Sequence, residues 1–266
     1  LAVVQAPSRF DAAADRLVRA FAAFGVVPAA VVAILVAVLL APLWGIVAFV
    51  LIALAWVAVV VVRARGSLGR VLDATGARPG TAGSQPRWEN IVTGLGLSSG
   101  VADPELWYLD VAAANAAVLV AGDRVVLVAT TGLLDSLSAV EQEAVCANLL
   151  CRVRDGSARY ATLTAGFLGG LTARVEGADR LVADGLGAQR AVQSDLAAVG
   201  LTRYPPGLAR ALAAMAERGT ELPSVDACTS HVWIAPVAVD TAPAPTAVTE
   251  TAQQPLDLRV AVLDEL

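Results

Sequence analysis

The residues able to hold a metal or start a nucleophilic reaction are few in this chain: one histidine, His231, and three cysteines, Cys146, Cys151 and Cys228. Cys228-x-x-His231 has a ligand-like spacing, and with Cys146 and Cys151 a three-thiolate, one-imidazole zinc site can be written. Two facts oppose it. Residues five apart on one helix diverge by about 140°, so Cys146 and Cys151 do not face one ion together. A full four-ligand set is also structural, with no open position for water. A His-Glu-x-x-His site needs two imidazoles at i and i+4 with a carboxylate base between them, which a single histidine cannot supply. No Ser-His or Cys-His pair emerges, and His231 reads as a strand histidine hydrogen-bonded to backbone. An odd number of cysteines without a small disulfide scaffold reads as reduced thiols of a cytoplasmic domain.

The elements around these residues begin with membrane-type sequence. The 266 residues are 57% hydrophobic, and from Val26 to Val62 none is charged. Roughly 20 apolar residues cross a bilayer, so this run is long enough for two crossings. Pro42 marks the turn, because proline removes a helix hydrogen bond and disfavours helix at the residue before it. Arg16 and Arg19 precede the pair and Arg63, Arg65 and Arg70 follow it, which places both flanks in the cytoplasm. Ahead of the hairpin, Ser8 and Asp11 open an amphipathic helix with Phe10, Ala14, Leu17, Val18, Phe21 and Phe24 on one side. That face has two uses, to lie on the membrane or to pack against its own domain or a copy. The net charge of -5 and the absence of any lysine give no broad basic surface, so nucleic acid is not an expected partner.

Beyond the hairpin, the Gly-, Pro-, Ser- and Thr-rich stretch 64–87 reads as a connector with one helical turn around Leu68–Leu72, and the globular part begins near Trp88. Leu106–Val111, Ala117–Val120 and Arg124–Ala129 are short β-rich runs, the last two joined across Gly122-Asp123 as a hairpin. Ser138 with Glu141 signals the start of a helix over Ala139–Arg154. Further helices are expected from Arg159 to about Val182, around Ala188–Val199 and over Pro206–Arg218, with two membrane crossings in total. Positions 235–254, rich in Ala, Pro and Thr, read as a linker before a last helix over 255–266.

Taken in order, several segments resemble the HtpX-like family of membrane-anchored zinc metallopeptidases, relatives of the CaaX prenyl endopeptidase. They are Gly100–Asp110, Asn115-Ala116-Ala117, Val128–Asp135, Glu143–Ala147, Asp195, Leu201–Leu208, His231–Ile234 and Pro255–Leu263. The resemblance implies an α+β architecture: a two-helix N-terminal transmembrane hairpin followed by a zincin-like metallopeptidase domain with a small β-sheet and several helices. The expected divisions are 1–25 amphipathic helix, 26–63 hairpin, 64–87 connector, 88–234 peptidase-like domain, 235–254 linker and 255–266 returning helix. Carried over residue by residue, the first zinc histidine falls on Asn148, the catalytic glutamate on Leu149, the second histidine on Arg152 and the glutamate ligand on Ala191. Leucine takes no proton from water and guanidinium has no lone pair for a metal. No cofactor is therefore expected, and Arg152 reaching Asp195 is the expected replacement for the metal, with Leu149 filling the former cleft. A solvent-facing Arg152 is the plain alternative.

The resemblance thus implies a degenerate, catalytically inactive membrane homologue acting as a binding, regulatory or assembly subunit. Asn115, Ala116 and Ala117 lie where active relatives offer a sheet edge to extended substrate, so peptide capture by strand addition is possible there; the sheet also needs that edge for its own sake. Expected partners are the lipid bilayer and a membrane protein or a second copy, including an active paralogue. The location implied is a cell membrane, a bacterial inner membrane, crossed more than once with the N-terminus and main domain cytoplasmic. Two alternatives stay open: a membrane metalloendopeptidase with an atypical metal site, and an accessory subunit of an envelope or transport complex.

Overall fold

The protein was analysed as a computed structural model that describes residues 8–101, 103–169, 178–222, 227–237 and 252–266, without the side chains of 178, 179, 227 and 228. Helix α1, Arg9–Phe24, starts on a reciprocal cap: Asp11 N donates to Ser8 Oγ at 3.1 Å and Ser8 N to Asp11 Oδ2 at 3.2 Å. It passes through Gly25 into α2, Val26–Leu39, and Pro42 opens α3, Pro42–Arg65, as a first-turn proline without an orphaned N–H. The stretches Arg9–Leu39 and Pro42–Arg65 are each long and apolar enough to cross a membrane. Ile34, Leu35, Val38, Ile46, Leu51 and Leu54 are exposed along them, an arrangement that suits lipid rather than water. Gly25 lets the indole of Trp56 lie against the backbone, where a Cβ would collide with it, and Trp56 Nε1 donates to Phe21 O at 2.8 Å.

The helical turn expected within the connector, around Leu68–Leu72, is part of a longer helix. Leu68, Val71, Leu72 and Thr75 recur at i, i+3, i+4 and i+7 and are buried on α4, Ser67–Thr75, which ends on left-handed Gly76. Strand β1, Arg78–Pro79, and helix α5, Pro86–Ser99, follow. Strands β2, Glu105–Leu109, β3, Ala116–Ala121, and β4, Arg124–Thr130, complete a four-stranded sheet in the order β1-β2-β4-β3. Strands β2 and β4 are parallel, while β3 and β4 form the expected hairpin through Gly122 at φ 60° and Asp123. Alternation along the strands separates two cores. Ala116, Val118, Leu127 and Ala129 face one side, and Ala117, Leu119, Val126 and Val128 face the other. Because both faces are covered, the strands are continuously apolar rather than alternating.

Helix α6, Thr131–Ser136, leads to α7, Ala139–Arg154, which lies on the first face with α5. Helix α8, Ser157–Leu168, lies on the second face with α4. Helices α9, Ala178–Leu186, α10, Arg190–Thr202, and α11, Pro205–Arg218, follow, then a 3₁₀ turn, Ala227–Val232, and α12, Leu256–Asp264, packed on α11 and α10. The helix expected over 159–182 stops at Leu168, and positions 170–177 lie outside the described residues. The linker expected over 235–254 lies largely outside them too, at 238–251. Its two ends are buried, Ala235 on one side and Ala252 and Gln253 on the other.

The amphipathic face of α1 is spent on the protein itself. Phe10 and Ala14 are buried in the second core, Asp11 pairs with Arg159 of α8 at 2.8 Å, and Phe21 meets Phe167 edge to face at 4.9 Å. Helix α8 also takes Arg63 Nη2 on Phe167 O at 3.1 Å and Arg70 Nε on Gly166 O at 2.8 Å, tying the base of the hairpin to the domain. A Cβ on Gly166 would run into the backbone of Ser67, which cannot yield as a side-chain tip can. Gly166→Val is therefore expected to lower stability by about 1–3 kcal/mol, read as a lower melting midpoint of the detergent-solubilised chain.

Candidate functional site

Asn148, Leu149 and Arg152 on α7 and Ala191 on α10, the positions to which the resemblance assigns metal binding, lie on two helices that pack together. Ser138 N donates to Glu141 Oε2 at 2.8 Å, fixing the start of α7, and the rest of the helix is buried from Ala144 to Arg152. Asn148 and Leu149 are wholly buried, and Ala191 is buried on α10, one turn before Asp195. Leu149 packs into the first core with Val145 and Leu150.

Asp195 is the polar centre of this contact. Arg259 of α12 grips it through two bonds, Nε to Oδ2 and Nη2 to Oδ1, both 2.7 Å, and Asn148 Nδ2 donates to Oδ1 at 2.8 Å. Both ionic side chains are shielded, at 0% and 2% exposure, so the pair is fully desolvated. Here the structure corrects the sequence reading: the ion-pair partner of Asp195 is Arg259, not Arg152. Arg152 instead donates Nη1 to Trp233 O at 3.1 Å, and at 1% exposure it does not point to solvent either. A guanidinium one turn beyond Asn148 reaches the carbonyl of Trp233, just past the 3₁₀ turn, and the carboxylate is already saturated from α12.

A third buried guanidinium, Arg190, donates Nη1 to His231 O at 2.8 Å. Burial first, and then the charges of Arg190 and Arg259, push the Arg152 guanidinium well below its ordinary range, against Asp195 and Asp155. Burial holds Arg190 down at about 10, with Asp155 opposing and Arg259 adding to the fall. Both remain cations near neutrality. Sequence reasoning missed Arg190 entirely and saw Arg259 only as part of a segment. An arginine on a helix gives no sign of burial until its neighbours are known.

His231 is bonded to backbone as expected, though on the 3₁₀ turn rather than on a strand. Its Nε2 lies 3.1 Å from Ala161 O and 2.9 Å from Thr164 Oγ1. A carbonyl only accepts, so Nε2 carries the proton and is closed to a metal. Burial, then Arg190, lowers the imidazole to about 4 despite the carbonyl. Cys146 and Cys151 are buried, and burial raises both thiols. The side chain of Cys228 lies outside the described residues. Among the described residues no three of His, Cys, Asp and Glu are grouped as ligands would be. The set Asn148, Leu149, Arg152 and Ala191 does not fit zinc: it offers one amide oxygen, two apolar groups and a cation.

The sheet edge at Asn115-Ala116-Ala117 is present but taken. Ile234 N donates to Ala116 O at 2.8 Å, Ala117 bridges Trp233, and the Asn115 amide both receives Ala235 N and donates to Ala235 O at 3.2 Å. Further along, Val120 N is taken by Thr162 Oγ1 at 2.9 Å. The chain's own segment 233–235 thus lies where an added peptide strand would pair, and capture at residues 115–117 requires that segment to leave. Arg259 Nη1 on Ile234 O at 2.6 Å and Arg152 on Trp233 O hold it down.

The chain is similar to two proteins called protease HtpX homolog. That of Dictyoglomus turgidum is 26% identical over 197 residues, and that of Dictyoglomus thermophilum 25% over the same length. Each alignment covers 62% of this chain and 65% of the relative, so the likeness spans somewhat less than two thirds of those proteins. No family profile and no solved structure matches the chain. The likeness supports a distant HtpX-like relationship, and with the two long apolar helices it suggests a membrane protein.

Two outcomes are expected. Arg259→Ala leaves a buried carboxylate with only an amide for company and costs about 3–5 kcal/mol by thermal melting. Adding Asp195→Leu to it recovers part of that loss, since the orphaned charge goes with it. For His231 the folded pKa near 4 lies below the ordinary 6.5, so the unfolded chain takes up the proton first as pH falls. Its contribution is complete above about pH 6.5, declines from there towards pH 4, and amounts to about 2 kcal/mol lost by pH 5. His231→Gln should flatten that part of the melting profile between pH 6.5 and 5.

Proposed function

We propose that this chain is a catalytically inactive, membrane-anchored relative of HtpX-type proteases, acting by binding as a regulatory or assembly subunit. The observation that carries the reading is the chemistry of the four positions where such an enzyme would hold and activate zinc. They are Asn148, Leu149, Arg152 and Ala191, and around them Asp195 is locked by Arg259 and Asn148. A protease of this class needs a metal-bound water and a general base, and neither can be assembled from an amide, a leucine, a guanidinium and a methyl group. In this reading the domain is a zincin-like scaffold with its cleft filled, and its membrane hairpin is inserted with the arginine-flanked ends in the cytoplasm. The partner is a membrane protein, a second copy of the chain or an active paralogue.

The covered sheet edge supports a binding role under control rather than constant substrate capture. Cleavage of a denatured protein substrate by the full chain in detergent, with and without added zinc, tests the reading. No cleavage above a preparation lacking the chain is expected; cleavage that zinc enhances and a chelator abolishes would overturn it.

A further inference from the structure

The three arginines of the site are not equivalent. Arg259 closes its Nε and Nη2 side on Asp195, the paired, parallel geometry in which a guanidinium meets an oxyanion. Arg190 is anchored by its other end, Nη1, to His231 O. Its Nε and Nη2 are buried and have no hydrogen-bond partner among the described residues. They form the same two-pronged edge that Arg259 uses. Arg152 is fastened alongside, two carbonyls further on at Trp233, and its buried Nε is likewise without a partner. Neither Arg152 nor Arg190 has an acid within ion-pair distance among the described residues, while Asp195 is satisfied by Arg259. Asp155, whose charge acts on both, is exposed and accepts from Ser157 N.

Two desolvated cations that repel each other, with three donors left over, cost more than a fold retains without compensation. The physical remedy is negative charge with more than one acceptor atom. Chloride has a single centre, whereas carboxylate and phosphate match the Nε/Nη2 edge. We propose that Arg190 and Arg152 form a binding site for a small oxyanion, a carboxylate or phosphate group, seated on the Nε and Nη2 of Arg190 with the Nε of Arg152 beside it. The site lies between α7, α10 and the 3₁₀ turn, where a peptidase would carry its cation; the charge preference there is reversed. Because Arg152 holds Trp233 of the segment that covers the Asn115–Ala117 edge, and Arg190 holds His231 two residues before it, the bound anion also steadies that cover. The inference rests on the metal-free reading given above.

The test is a thermal-melting titration of the full chain in detergent at constant ionic strength, replacing sodium chloride stepwise by inorganic phosphate or by acetate in the low millimolar range. A saturable rise in midpoint is expected, with no rise for chloride. Arg190→Met should remove the response and raise the midpoint in the absence of oxyanion, since an unpaired buried charge is gone. Arg152→Lys, which keeps the charge but not Nε, should weaken the response several-fold. A short peptide with a free C-terminal carboxylate, compared with its amide, identifies the source: tighter binding of the free acid than of phosphate or acetate points to a chain end, the reverse to a free ion. A midpoint indifferent to oxyanion, as an acid elsewhere in the chain filling the edge would produce, overturns the proposal. So does a response that survives in Arg190→Met, and the wild-type titration decides alone if that variant does not fold. Cleavage measured on the same preparation separates the two readings: an inactive chain without anion response sinks only this one.

Discussion

The carboxylate of Asp195 is the constraint on which the site depends. It is almost completely buried, and a buried carboxylate persists only when every oxygen is engaged. Arg259 and Asn148 meet that demand from α12 and α7, so one side chain joins three helices far apart in sequence. A metal between helices would do the same through lone pairs. Here the link is made of N–H donors around an acceptor, and its polarity is inverted.

From that clamp the arrangement of the neighbouring backbone follows. Arg259, once fixed, has Nη1 free for Ile234 O, and Ile234 N in turn meets Ala116 O. The cover on the sheet edge is thus connected through one guanidinium to the centre of the site. On the other side of the sheet, α8 carries Thr162 to the β3 edge and receives Arg63 and Arg70 from the base of the hairpin. Edge, site and apolar hairpin are linked by hydrogen bonds between side chains and backbone N–H or C=O groups, which fix position without requiring a particular partner side chain.

What was legible in the sequence was whatever has a local cause. The Ser8/Asp11 and Ser138/Glu141 caps, the Pro42 turn and the Gly122-Asp123 hairpin depend on residues within a few positions of one another, and they stand where spacing put them. Of helix α4 only the turn around Leu68–Leu72 was legible, because Gly, Pro, Ser and Thr around it outweighed the periodicity that runs on to Thr75. That the 148–152 stretch carries no His-Glu-x-x-His pattern is a matter of residue type alone. The pairing of its charges is not: Asp195 and Arg259 are 64 residues apart, and Arg152 was as eligible a partner until the helices were placed. Ala116 and Ala117 lie on a strand at the end of the sheet, and the occupation of that edge by Trp233–Ala235 arises from a contact across more than a hundred residues that leaves no pattern in either segment.

The central claim is that donor–acceptor pairing, with no metal, holds this site together. It is tested most directly by zinc content and by the melting midpoint of the full chain, purified from native membranes, before and after exhaustive chelation and again after zinc is returned. The account predicts less than stoichiometric zinc and a midpoint unmoved by either treatment; one zinc per chain, with a midpoint that falls on chelation and recovers on repletion, would contradict it.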